Sequence, residues 1–272
     1  MSISETKLLL RKHRIVPNRL LGQNFLVEPS IFPKLSEFAS LNELDIVLDA
    51  GAGLGFLTRF LAQKCHIVVA VEKDPKIAVA LREQLKGLTN VTTLEGDILK
   101  IRVPSFNKVV SIPPYYLSSR LILWLYDRKF DCCILILQKE FAKRLLASIG
   151  SDEYSWLTVV TSHRVEVEVL SYIPKSFFYP APRIDSVVLR LSHRKTMPFK
   201  IRDEIFFRSM VRWLFTQRNK KLQNAVMPFI KTTFRIKDED AENLIDGFPF
   251  LEKRVRELTP EAFGDLANVL IS

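Results

Sequence analysis

Cysteine is scarce in this chain of 272 residues: three, at Cys65, Cys132 and Cys133. Adjacent cysteines rarely bridge each other, and no Cys or His spacing matches a metal site. A disulfide framework and a metal-binding motif are thereby excluded. The thiols fall in apolar runs, which suits buried free cysteines in a reducing compartment. Long hydrophobic runs are also missing; none approaches membrane-spanning length. The opening segment, MSISETKLLLRKHRIVP, has no signal-peptide apolar core. There is no internal repeat and no low-complexity tract. Glycine is sparse, at nine residues, yet three crowd into positions 51 to 55. Together these absences predict a cytoplasmic protein with no membrane partner and no metal; the chain is expected to be a monomer.

What the chain does have is a hydrophobic content of 47% and a net charge of +10. The first allows one large core domain and a smaller one. The second suits a polyanionic partner, without specifying it. Most of the basic excess precedes residue 196. The first 20 residues carry Lys7, Arg11, Lys12, Arg14 and Arg19 against Glu5 alone, the pattern of a basic helix that lies on phosphates or faces solvent.

The stretch Ile46 to Thr58, IVLDAGAGLGFLT, organises the rest. An apolar run ends at Asp49, then Gly51, Gly53 and Gly55 alternate, then a helical pattern begins. A buried parallel strand reads as a continuous apolar run. Glycines directly after it permit a tight turn and close approach of backbone to ligand. A dinucleotide fingerprint reads GxGxxG; this one reads DxGxGxG. That variant looks like the first motif of methyltransferases using S-adenosylmethionine, whose cationic amino-acid end suits a carboxylate at Asp49.

Strand and helix signals then alternate, predicting an α/β, Rossmann-like sheet. Strand His66–Glu72 ends in an acid about 20 residues past the glycine turn, where an acid accepts hydrogen bonds from ribose. Asp74, followed by Pro75, reads as a helix cap. Asp97 follows the strand Val91–Leu94 in a Gly-Asp pair, near the adenine of a bound nucleotide. The strand Lys108–Ser111 runs into Ile112-Pro113-Pro114-Tyr115-Tyr116. Ligands in open α/β sheets bind at the carboxyl ends of strands; here the prolines stiffen the loop and a tyrosine offers a face for a base. A further strand, Cys132–Leu137, leads into a helix carrying Lys139, Lys143 and Arg144, and SFFYPAPRIDS precedes the strand VVLRL. Beyond Lys195 the pattern turns helical, over Asp203–Phe215, Lys221–Ile230 and Asp238–Ile245. Residues 1–195 are therefore expected to form the Rossmann-like domain and 196–272 a small helical one. The basic, amide-rich link Phe215–Asn224 suits phosphates.

These residues resemble the small-subunit ribosomal RNA adenine dimethyltransferases, most closely their archaeal members. The resemblance rests on LGQNFL, DAGAGLGFLT, VEKD, GDILK, the loop after Ser111, FYPAPRIDS, FTQRNKKLQN and RELTPEAF, in this order over nearly the whole length. It implies dimethylation of the 6-amino groups of two adjacent adenosines near the 3′ end of small-subunit (16S-type) rRNA, within the immature 30S-type subunit. It implies S-adenosylmethionine as cofactor and S-adenosylhomocysteine as product. By motif, the cofactor would be held by Asn24, Leu26, Gly51, Gly53, Glu72, Asp97 and Ile112. The catalytic loop would be Ile112, Pro113, Pro114 and Tyr115. Tyr115 would stack on the target base and Phe178 would help hold it; residues 196–272 would bind rRNA.

One departure from the family's loop N-[LI]-P-Y bears directly on the chemistry: isoleucine stands at Ile112 in place of asparagine. An adenine 6-amino group is flat, with its lone pair delocalised. Two acceptors must hold its hydrogens for the nitrogen to turn its electrons to the methyl. The asparagine oxygen is one and the next backbone carbonyl, here that of Pro113, is the other. Losing such a contact lowers a rate by about two to three orders of magnitude. Ser111 is expected to point away from the reaction. A second reading is a weak or inactive homologue acting as an rRNA-binding assembly factor. A DNA-binding transcription factor, as among organelle relatives, lacks a transit-like segment to support it.

Overall fold

The computed structural model describes residues 2–18 and 22–271. Arg19, Leu20 and Leu21, part of the basic segment and of LGQNFL, lie outside the described residues. The described chain forms two compact units, residues 1–142 with 166–193 and residues 143–165 with 194–272. The chain passes between these units at three points, the last of them between His193 and Arg194. A segment around α-helical Trp156–Arg164 belongs with the C-terminal helices, a long-range association that no local composition shift marks.

The first unit contains α1 (Ile3–Lys12), β1 (Phe25–Leu26), α2 (Ile31–Phe38), β2 (Ile46–Ala50), α3 (Phe56–Leu61), β3 (Ile67–Glu72), α4 (Pro75–Gln84), β4 (Val91–Glu95), β5 (Lys108–Ser111), α5 (Ser118–Tyr126) and β6 (Cys132–Gln138). Helix α6 (Lys139–Leu145) follows, and α7 (Trp156–Arg164) belongs to the second unit. The first unit is completed by β7 (Val165–Ile173), β8 (Phe178–Tyr179) and β9 (Ser186–His193). The main sheet has seven strands in the order β4-β3-β2-β5-β6-β9-β7. Strands β4 to β6 run parallel, and β9 is antiparallel to β6. This is a Rossmann-like architecture. The order reverses between β2 and β5, which opens a crevice beyond their carboxyl ends.

The inner strands are largely apolar because both sheet faces are covered: Val47, Leu48, Val109, Val110, Ile134 and Ile136 are fully buried. Edge strand β4 is partly exposed and carries Glu95, paired with Arg82 at 2.6 Å; charge on an edge discourages pairing with other chains. The cysteines are free thiols, Cys65 and Cys133 buried and Cys132 half-buried. Burial pushes Cys65 up to about 11 and raises Cys132 and Cys133 as well.

A separate two-stranded sheet pairs β1 antiparallel with β8, setting Phe25 against Tyr179 and Leu26 against Phe178. The expected basic helix exists as α1, capped by Ser2, whose side chain accepts from the Glu5 amide. It is anchored: Leu10 and Ile15 are buried with Leu54 and Ile77. Lys12 pairs with Glu83, and the Lys7 ammonium lies over the Tyr179 ring at 5.2 Å.

In the second unit α7 joins α8 (Glu204–Phe215), α9 (Leu222–Phe234), α10 (Asp238–Ile245) and α11 (Pro260–Leu270). Asp203 caps α8 through the Phe206 amide, and Thr259 caps α11 ahead of Pro260. Their inner faces bury Phe207, Met210, Leu214, Val226, Ile230, Phe263 and Leu266. Helix α9 runs four residues past the expected Ile230 with Pro228 inside it, so burial outweighs the proline's helix-breaking tendency.

Gly264 packs closely against Phe199 in this unit. A Cβ there would stand 2.5 Å from a Phe199 ring carbon. Gly264→Ala would gain about 1 kcal/mol of helix propensity, whereas overpacking typically costs about 1–3 kcal/mol. Urea unfolding of Gly264→Ala is expected to show a net loss of up to about 2 kcal/mol.

Candidate cofactor and substrate site

The glycine turn after β2 is left-handed at each glycine: φ is 83° at Gly51, 57° at Gly53 and 82° at Gly55. Gly51 and Ala52 amides both donate to the Val71 carbonyl, at 2.8 and 3.0 Å, which stitches the turn to the end of β3. A Cβ on Gly51 would lie 2.6 Å from Pro114 Cδ. The missing side chain therefore lets the proline loop close against the turn.

Three carboxylates stand around this turn in different states. Asp49 is buried and accepts from the Thr58 hydroxyl at 2.7 Å. Burial pushes its carboxyl up to about 7, opposed by Thr58 and assisted by the charge of Glu72. Glu72 accepts the Gly53 amide on one oxygen, at 2.9 Å, and the Lys73 and Asp74 amides on the other, at 2.8 and 2.9 Å. Burial raises its pKa against these three bonds. A carboxylate offers about four lone-pair sites, so Glu72 retains acceptor capacity for a ligand hydroxyl. Asp97 is partly buried; its desolvation is outweighed by the Leu99 amide and the Lys73 ammonium at 3.2 Å, which hold its pKa low. Asp74 caps α4 through the Lys76 and Ile77 amides, as its position before Pro75 implies. Gln23 donates to the same carboxylate at 3.1 Å and fixes the N-terminal loop beside it.

The loop after β5 is rigid. Pro114 leads into a short 3-10 turn over Tyr115–Leu117, and the Ser118 hydroxyl donates to the Tyr115 carbonyl at 2.8 Å. Ser111 faces away from the cavity: its hydroxyl accepts from Ala50 N–H at 2.7 Å and donates to the Leu48 carbonyl at 3.2 Å. Ile112 packs against the core cluster containing Leu26, Val110, Ile136 and Phe178. Tyr115 shares a 2.8 Å hydrogen bond with the Ser186 hydroxyl and meets the Phe178 ring edge-on at 6.4 Å. Burial pushes the Tyr115 phenol up to about 12. Gly22 comes close behind it; a Cβ there would stand 3.0 Å from the Tyr115 amide.

Two cavities meet at this loop. The first, of about 290 Å³, is lined by Asn24, Gly51, Gly53, Glu72, Asp97, Ile112 and Pro114 among others. A small extension of about 50 Å³ adds Leu26 and Asp49. All seven residues expected to hold the cofactor thus come together, Leu26 only at the extension. The second cavity, of about 440 Å³, is lined by Gly22, Asn24, Tyr115, Tyr116, Gln138, Ala181, Pro182 and Arg183. Gly22, Asn24 and Tyr116 line both large cavities. Tyr115 lines the second; Phe178 is buried behind it, and Pro113 is buried in the loop.

Three residues here were given no role by the sequence: Lys73, beside Asp97, and Ser186, bonded to Tyr115, fall inside the quoted motifs VEKD and FYPAPRIDS, whereas Gln138 lies in none. Gln138 could have been found from its place at the carboxyl end of a parallel strand. The basic link after α8 fits phosphates less freely than its composition implies: Arg218 donates to the Ser151 and Asp152 carbonyls at 2.8 and 2.7 Å, and Lys221 pairs with Glu252 at 2.5 Å.

The chain can be set beside known proteins. A family model described as ribosomal RNA adenine dimethylase matches residues 16–246. The protein named probable ribosomal RNA small subunit methyltransferase A of Methanosarcina acetivorans is 38% identical, covering 96% of each chain. Its namesake in Methanothermobacter thermautotrophicus is 37% identical, covering 97% of this chain and 95% of its own. Among solved structures, a dimethyladenosine transferase from Plasmodium falciparum superimposes with a TM-score of 0.73 at 26% identity, over 89% of this chain and 95% of that one. The 23S rRNA methyltransferase ErmE gives 0.62 at 27% identity, over 92% and 100%. With a family match over most of its length and close relatives over nearly all of it, the chain belongs to the ribosomal RNA adenine dimethylase family.

Proposed function

We propose that this protein transfers methyl groups from S-adenosylmethionine to the 6-amino groups of two adjacent adenosines near the 3′ end of small-subunit rRNA. It would act as a monomer, in the cytoplasm, on the immature 30S-type subunit, with residues 196–272 contributing rRNA contacts. The observation that carries this reading is the pair of cavities meeting at Asn24 and Tyr116. One has the glycine turn and carboxylates of a cofactor site; the other has the tyrosines of a base site.

The first cavity fits the cofactor chemically. Its volume is close to the lower end of the small-ligand range of about 300–1,000 Å³. Glu72 keeps acceptor capacity for ribose hydroxyls. Asp97, held ionised by Lys73, accepts from an adenine amine. Asp49 lies where a cationic amino-acid end would sit, and Asn24, Leu26, Gly51, Gly53 and Ile112 complete the walls. S-adenosylmethionine, when bound, supplies an electrophilic methyl on a cationic sulfur.

The chain's own part is positioning. The Tyr115 ring, clamped by Ser186 and Phe178, offers a face for an extruded adenine; its phenol stays protonated and does not serve as a base. The Pro113 carbonyl accepts one amine hydrogen. With the cofactor bound, an amine held by this carbonyl would be turned toward the methyl, and the proton that the amine gives up would pass to water.

Radiolabelled methyl transfer to unmodified small subunits is the direct test; no label after prolonged incubation would overturn the reading. Base stacking on an aromatic contributes about 1–3 kcal/mol. Tyr115→Ala is therefore expected to lose roughly 5- to 150-fold in transfer rate, and Tyr115→Phe to keep most of it. A pH dependence follows from Asp49. Its raised pKa means the ionised form, which attracts the cationic cofactor, accumulates only as pH rises through about 7. Calorimetry should find cofactor affinity rising from pH 5.5 to 7.5, with proton release. Asp49→Asn should flatten the profile. Without ligand the same group lowers wild-type stability relative to Asp49→Asn as pH rises from about 4 to about 7, because its neutral form is the one burial favours.

A further inference from the structure

We infer that Gln138 is the residue that reads the target base, and that its side-chain amide supplies the acceptor which Ile112 lacks. The inference rests on the adenosine-methylating reading above and adds a residue to it. Strand β5 pairs in parallel with β6, Ser111 against Leu135. Continuing that register by three residues sets Gln138 level with Pro114, at the adjoining strand end. Side chains alternate along a strand. Ile134 and Ile136 face the core cluster against which Ile112 packs, so Gln138, two further on, projects from the same face as Ile112.

The antiparallel neighbour gives the same direction independently. Gln138 is the pairing partner of Ser186 on β9, and directly opposed residues project from one face. Ser186 holds the Tyr115 hydroxyl at 2.8 Å. Gln138 therefore stands beside the tyrosine on which the base is expected to stack, and it lines the second cavity with Tyr115, Tyr116 and Arg183.

Chemistry makes the assignment specific. A glutamine amide pairs with adenine in two bonds, its oxygen accepting from the 6-amino group and its nitrogen donating to a ring nitrogen. The oxygen, with the Pro113 carbonyl, holds both amine hydrogens, so an isoleucine at 112 is tolerated. The donor arm rejects a ring nitrogen that carries hydrogen.

The test compares adenosine 5′-monophosphate with the same nucleotide bearing hydrogen in place of the 6-amino group. Both are titrated against the full chain saturated with S-adenosylhomocysteine, with binding read by saturation-transfer NMR. The native protein should prefer the amino nucleotide by on the order of tenfold. Gln138→Leu should abolish that preference, while Gln138→Glu, which keeps shape and acceptor, should retain it; calorimetry with S-adenosylhomocysteine checks that each variant folds. In methyl transfer to unmodified small subunits, Gln138→Leu should lose on the order of 10–100-fold, and adding Ile112→Asn to it should restore most of the loss. An unchanged preference in Gln138→Leu, or none in the native protein, overturns the inference. A Gln138-dependent preference in a protein that transfers no methyl would sink the proposed function and leave the base-reading role standing.

Discussion

The carboxylate of Glu72 joins the amide of Gly53 to those of Lys73 and Asp74. The end of β3 and the turn after β2 are thereby held at one spacing. The Val71 carbonyl adds two more bonds to the same turn. Left-handed glycines would otherwise be the loosest part of the chain, because glycine loses most freedom on ordering. Five backbone amides converging on two acceptors fix the turn, and everything beyond it inherits that position. Asp49 is placed on Thr58, Pro114 rests where Gly51 has no side chain, and Ile112 closes the cavity wall.

A second constraint acts from the other side. Two-residue strands β1 and β8 have little stability of their own, yet they bring Asn24 to Leu26 against Phe178 and Tyr179. Gln23 secures the same loop to Asp74 at the start of α4. The wall shared by the two cavities is built by residues separated by about 90 positions in the chain, Gly22 and Asn24 on one side and Tyr116 on the other. Its placement depends on the main sheet, through Ser186 at the start of β9 and its bond to Tyr115.

The sheet was readable because parallel strands covered on both faces leave continuous apolar runs, as in Ile46–Leu48 and Cys132–Leu137. The glycine spacing and its preceding acid pointed to the turn that lines the first cavity. The order of motifs pointed to the family. Other features leave no local trace. The pairing of β1 with β8 is too short to show a period. The membership of α7 in the helical unit is decided by contacts distant in sequence. Arg218 reads as a phosphate ligand by composition, but its guanidinium is engaged by two carbonyls. Gln138 reads as the start of a basic helix; only strand register and the antiparallel partner reveal its direction.

Sulfur chemistry offers a last consequence. A thiolate, unlike a thiol, is a strong nucleophile, and sulfonium reagents alkylate nucleophiles without discrimination. Burial suppresses the ionisation of Cys65, Cys132 and Cys133, so with the proposed cofactor bound the fold would offer few anionic sulfurs to intercept its methyl. The same burial that fills the core would then guard the chain against modifying itself.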